Sequence, residues 1–154
     1  MSNLVASRPS SIGPFLSRRP VWQVCYLSGL AASVVVELYG LVLRGAGVPM
    51  RAAGLGSHHA TPITVGMFAM GTMVVTFWFT FLVVLLARFA ANPATSYLRL
   101  ALPLLVLSLA VPLTAADTAF STKLTLAVAH LIAGAVIIPT VARRLGQLTL
   151  PARS

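Results

Sequence analysis

The sequence predicts an all-α, polytopic membrane protein, a bundle of four transmembrane helices with both termini cytoplasmic. Three observations predict it. Of 154 residues, 58% are hydrophobic and 8% charged, whereas an ordinary soluble domain carries about 25% charged residues. The apolar residues gather into four runs, each near the roughly 20 residues that a bilayer demands. Eleven Lys and Arg oppose only two acids, Glu37 and Asp117. The cations lie in tails and loops beside the apolar runs, without a basic patch interleaved with exposed aromatics. They therefore report membrane topology and not a nucleic-acid partner.

Taken in order, residues 1–20 are rich in Ser, Pro and Arg and read as a disordered cytoplasmic tail. SRRP at 17–20 is similar to a twin-arginine export signal, but the run after it is too long and lacks a small-residue cleavage site. Val21–Leu43 forms the first span, and residues 44–62 an external Gly-rich loop. Ile63–Ala87 is the second span, followed by a cytoplasmic loop at 88–97. Leu98–Leu113 is short, but Pro93 with Thr95 or Ser96 can start a helix before it, and Ala115 and Ala116 extend the third span to 98–116. An external turn at 117–123 leads into the fourth span, 124–142, whose apolar core is Leu124–Val141; residues 143–154 form a second cytoplasmic tail. In this orientation Arg8, Arg18, Arg19, Arg88, Arg99, Arg143, Arg144 and Arg153 lie inside, and only Arg44, Arg51 and Lys123 outside, as the positive-inside rule requires. Trp22 and Tyr97 then sit at the inner interface, where amphipathic rings gather.

Within the spans one residue demands compensation. Glu37, in VVVELYGLVL, places a carboxyl group where a charge costs about 2.5–3.5 kcal/mol on insertion scales. It lies six residues before Leu43, and His130 lies six residues after Leu124. Both therefore sit about 9 Å below the outer hydrocarbon edge, at about 1.5 Å per residue. Since first and fourth helices commonly pack side by side in short bundles, Glu37 and His130 are the candidate catalytic pair. Ser108, Thr72 and Met70 are candidate ligand contacts near that layer. A structural reading stands beside this one: a neutral acid hydrogen bonding to a neighbouring helix, and a satisfied histidine.

Asp117 is a weaker site candidate. Thirteen residues, about 20 Å of helix, separate it from His130, and an Asp before an apolar helix suits an N-cap. His58 and His59 are adjacent and point in divergent directions, so no metal site is expected. Cys25 is the single cysteine, which excludes an intrachain disulfide or a thiolate cluster. No cofactor is expected either, since the loop glycines lack any phosphate-cradle context. Gly29 with Ser33, the Thr72, Thr76, Thr80 repeat, and Gly134 are small or hydroxyl positions suited to close helix approach and bonds across it. Gly66, Met67, Met70, Gly71 and Met73 together suit a deformable apolar pocket. Pro103 and Pro112 are expected to bend the third helix.

Residues 106–144, VLSLAVPLTAADTAFSTKLTLAVAHLIAGAVIIPTVARR, carry a resemblance. Ser108-Leu109 before Pro112-Leu113, a Thr/Ala-rich turn, His130-Leu131 and Ile138-Pro139 before a basic end resemble an actinobacterial family of small four-span membrane proteins, catalogued as a domain of unknown function. The resemblance implies a multi-pass protein of the bacterial plasma membrane and draws notice to His130, Ser108 and Pro112; it implies no activity. Three functions fit the residues. One is an intramembrane enzyme acting on a lipophilic molecule, in its most concrete form an acid-initiated isoprenoid (terpene) cyclase with Glu37 as general acid. Another is a non-catalytic accessory subunit or lipid-binding protein of a membrane complex. The third is a proton or cation relay. The expected partners are a membrane lipid or lipophilic small molecule, and a second copy or a membrane-complex subunit; nucleic acid is not among them.

Overall fold

A computed structural model describes residues 19–54 and 56–148. It contains helices α1 (Val21–Gly45), α2 (Met67–Phe89), α3 (Pro93–Thr114) and α4 (Phe120–Gly146), with two short strands, β1 (Arg51–Ala52) and β2 (Thr61–Pro62), between α1 and α2. Each of the four helices is long and apolar enough to cross a membrane. The tail expected to be disordered lies outside the described residues except for Arg19 and Pro20, as do residues 149–154 of the second tail.

Local chemistry sets the helix ends. Pro20, extended at φ −61° and ψ 150°, precedes α1, and Arg44 in its last turn complements the negative end of the dipole. Gly47, at φ +84°, then turns the chain. Pro93 opens α3, where its missing N–H would have no helical partner anyway. Pro103 and Pro112 lie within that helix, and α4 runs on through Pro139. The Gly-rich segment forms a small antiparallel hairpin, with Arg51 opposite Pro62 and Ala52 opposite Thr61.

The lateral order of the bundle is α2, α1, α4, α3: α1 packs along both α2 and α4, and α4 also along α3. Small residues make these approaches close. A Cβ added at Gly29 would lie 2.3 Å from Thr76 Cγ2, one at Gly40 would lie 3.1 Å from the Phe68 ring, and one at Gly134 would lie 2.8 Å from Leu105 Cδ2. The hydroxyls expected to bond across the helices instead turn back on their own. Thr72, Thr76 and Thr80 each donate to the carbonyl four residues earlier, at 2.7–2.9 Å, the local alternative open to Ser and Thr in helices.

Only three residues, 90–92, join α2 to α3, yet these two helices barely touch. Near that connection the core consists of Cys25, Val83, Tyr97, Ala101, Val141 and Leu145. Near the hairpin it consists of Val36, Met50, Phe68 and Ala129. The hairpin itself is tied to the α3–α4 turn. Ala53 N–H donates to Thr118 Oγ1 at 3.0 Å, Ala60 N–H to Asp117 Oδ2 at 3.1 Å, and Thr122 Oγ1 to the Pro49 carbonyl.

Candidate functional site

The gap between α2 and α3 is a cavity of about 640 Å³, within the range of about 300–1,000 Å³ usual for small-molecule sites. Its walls are helical stripes. On α2 they are Phe68, Gly71, Thr72, Val75, Thr76 and Phe79, and on α3 Tyr97, Ala101, Leu104, Leu105 and Ser108. The α4 wall includes His130, Gly134 and Ile138, and the hairpin residues Ala52, Ala53 and Thr61 close one end. Each stripe advances by three or four residues, the spacing that keeps side chains on one helix face. Among the described residues, no acidic, Lys or Arg side chain lines the cavity.

His130 is its best-defined polar group. Nδ1 lies 2.7 Å from the Leu126 carbonyl oxygen, and a carbonyl only accepts, so Nδ1 carries the proton. In the neutral ring Nε2 is then an acceptor, and no described residue hydrogen bonds it. The Thr and Ser hydroxyls of the helical wall are committed: Thr72 and Thr76 as above, and Ser108 to the Leu105 carbonyl at 2.7 Å.

Glu37 lies elsewhere. Its Oε1 accepts from Gly66 N–H at 2.7 Å and its Oε2 from Ala69 N–H at 3.0 Å. The first amides of a helix have no partner within it, and Gly66, in the left-handed region at φ +90°, has no side chain with which to cap α2. The acid on α1 supplies that cap across the helix boundary, adding a favourable interaction with the positive end of the α2 dipole. This is the compensation Glu37 demanded. It also fixes α2's start at Met67, after the apolar residues Ile63 and Val65.

The expected meeting of Glu37 and His130 is therefore not what the geometry provides. The acid is half-buried at the α1–α2 seam and absent from the cavity wall, while the imidazole lines the cavity from α4. Ser108 and Thr72 line the cavity with His130. Met70 does not: it is 60% exposed on the far side of α2, whereas Met67 and Gly71 face inward. Asp117 is not the cap expected for α4, whose N-cap is Ala119 without a side-chain bond. It occupies the turn with φ +44°, a conformation Asp tolerates better than most residues, and receives Ala60 N–H from the hairpin. The two acids thus differ from expectation in opposite ways: Glu37 caps a helix, and Asp117 ties two loops. His58 and His59 are exposed, and no group of three His, Cys, Asp or Glu gathers among the described residues.

Sequence reasoning missed Tyr97. Expected at a membrane interface, it is 1% exposed and lines the cavity beside Cys25, itself 1% exposed. No described residue hydrogen bonds the Tyr97 hydroxyl. The signal available was spacing, since 97, 101, 104, 105 and 108 fall on one face of α3. Among leucines on every side, that face does not stand out.

A model of a family of unknown function (DUF6069) matches residues 16–147, a range that takes in all four helices. Comparison with curated proteins and with solved structures yields no match. With most of its length covered by that model, the chain belongs to the DUF6069 family.

Proposed function

We propose that the protein binds a neutral lipophilic molecule in the cavity between α2 and α3, within the bacterial plasma membrane, and that its arginine-rich end faces the cytoplasm. The observation that carries this reading is the cavity itself: an apolar chamber bordered by two neighbouring helices that hardly touch, with an imidazole acceptor in its wall. The stitched hairpin covers the end toward the α3–α4 turn, so the ligand enters sideways from the lipid between α2 and α3. Orientation rests on Arg19, Arg88, Arg99, Arg143 and Arg144, which the antiparallel path gathers at one end, following the positive-inside rule.

Binding is favoured over cyclisation. An acid-initiated cyclase needs its proton donor in contact with the alkene or epoxide, and among the described residues no acid lines this chamber. A non-catalytic lipid-binding protein needs only the shape and the polar anchor.

Gly71 offers a direct test, because a Cβ added there meets nothing within 4 Å. Gly71→Leu and Gly71→Phe put bulk into the cavity wall. Displacement of a fluorescent lipophile from the purified protein in nanodiscs is expected to fall at least tenfold for both, with thermal stability little changed. Wild-type binding by both variants would overturn the proposal.

A further inference from the structure

The His130 and Tyr97 groups occupy opposite ends of one cavity, and their separation follows from helix register. Gly134 lies against Leu105 and Gly146 against Ala94, so α4 and α3 run antiparallel with His130 level with about residue 109 of α3. Tyr97 is twelve residues from that level, or about 18 Å along the axis. Between them the wall is apolar, apart from Thr and Ser hydroxyls already bonded to their own helices.

The Tyr97 side chain is 1% exposed, and its hydroxyl has no hydrogen-bond partner among the described residues. It lines the same chamber as an imidazole nitrogen that also lacks a partner. With its Nδ1 proton fixed on the Leu126 carbonyl, His130 takes a donor, which on an uncharged lipophile is a hydroxyl. Tyr97 both donates and accepts, so it takes a hydroxyl, carbonyl or ether oxygen. Carboxylates and phosphates are disfavoured, because no cation among the described residues lines the wall to compensate their burial.

We infer that the cavity is built for an elongated neutral lipophile oxygenated at both ends, with a hydroxyl at His130 and a second oxygen about 18 Å away at Tyr97. Long-chain diols and polycyclic alcohols with a remote oxygen are of this class. The inference rests on the proposed lipophile-binding function and names its ligand chemistry.

The test compares three compounds of equal length as competitors for the fluorescent lipophile in nanodiscs: a terminal diol whose oxygens span about 18 Å when extended, the matching mono-alcohol, and the alkane. The diol is expected to bind roughly two- to tenfold more tightly than the mono-alcohol, the range one neutral hydrogen bond supplies. Tyr97→Phe is expected to erase that preference, and so is His130→Ala, because a mono-alcohol uses whichever of the two anchors remains. The double variant Tyr97→Phe, His130→Ala is expected to bind the mono-alcohol no better than the alkane. In the wild-type protein, a diol of half the length is expected to bind no better than its own mono-alcohol. Equal binding of the long diol and mono-alcohol, or a diol preference that survives Tyr97→Phe, would overturn the inference while leaving a lipophile site. Failure of all three compounds to compete would remove the underlying reading as well.

Discussion

α2 has two flanks, and they are built differently. Toward α1 it is closed: Thr76 packs on Gly29, Phe68 on Gly40, and the amides of Gly66 and Ala69 bond Glu37. Toward α3 it is open, although the connection to α3 is three residues long and that to α1 is a whole hairpin. Proximity along the chain therefore does not decide which helices meet. Between apolar helices in lipid no hydrophobic driving force selects the partner; glycine clefts and polar bonds do. The α1–α2 seam has both, whereas the facing residues of α2 and α3 leave a chamber.

Two glycines test this contrast, one on each flank. Gly29→Val is expected to have the largest effect of any substitution considered, because the first added carbon already overlaps Thr76. Overpacking of this kind costs about 1–3 kcal/mol or more, to be seen as a lowered thermal midpoint in detergent or as loss of membrane-inserted protein. Gly71→Leu, facing the chamber, is expected to change stability by less than about 0.5 kcal/mol, as at an unconstrained site. An equal loss at both positions would mean that the α2–α3 flank is closed in the membrane.

The next effect concerns the carboxyl contact in the closed seam. Glu37→Ala leaves the Gly66 and Ala69 amides without their acceptor and is expected to cost about 1–2 kcal/mol, as the loss of a capping side chain does. Glu37→Gln retains one oxygen acceptor for the two donors and is expected to fall between alanine and wild type. Hydrogen exchange at the first turn of α2 would locate the change; unaltered protection there would sink the capping role. Asp117→Asn should have the smallest effect. Asparagine tolerates the left-handed conformation and keeps an acceptor for Ala60 N–H, so a stability change within about 0.5 kcal/mol is expected.

The four helices could be read from composition and run length because a membrane span is a one-dimensional property, set by thickness and hydropathy. The site could be read only in part. His130, Ser108 and Thr72 drew notice as polar exceptions in apolar runs, and all three line the cavity. Depth counting placed Glu37 level with His130, but depth is one coordinate, and rotation about the helix axis directs Glu37 to α2. That rotation leaves little trace in a helix apolar all round, because no polar face marks the outside. For the same reason Tyr97 passed as an interfacial ring and Met70 as a pocket residue. Asp117 was misread for another cause: its partner, the Ala60 amide, is 57 residues away and follows from how the hairpin folds over the turn.

The cap that Glu37 provides has a consequence for biogenesis. Glu37 precedes its two partners by 29 and 32 residues, so α1 leaves the ribosome well before the groups that satisfy its carboxyl have been synthesised. A lone α1 in lipid would bear the insertion penalty of an acid without relief. Entry of the first two helices as a pair would spare the acid that penalty, so a chain ending after α1 is expected to insert less efficiently than one that continues through α2.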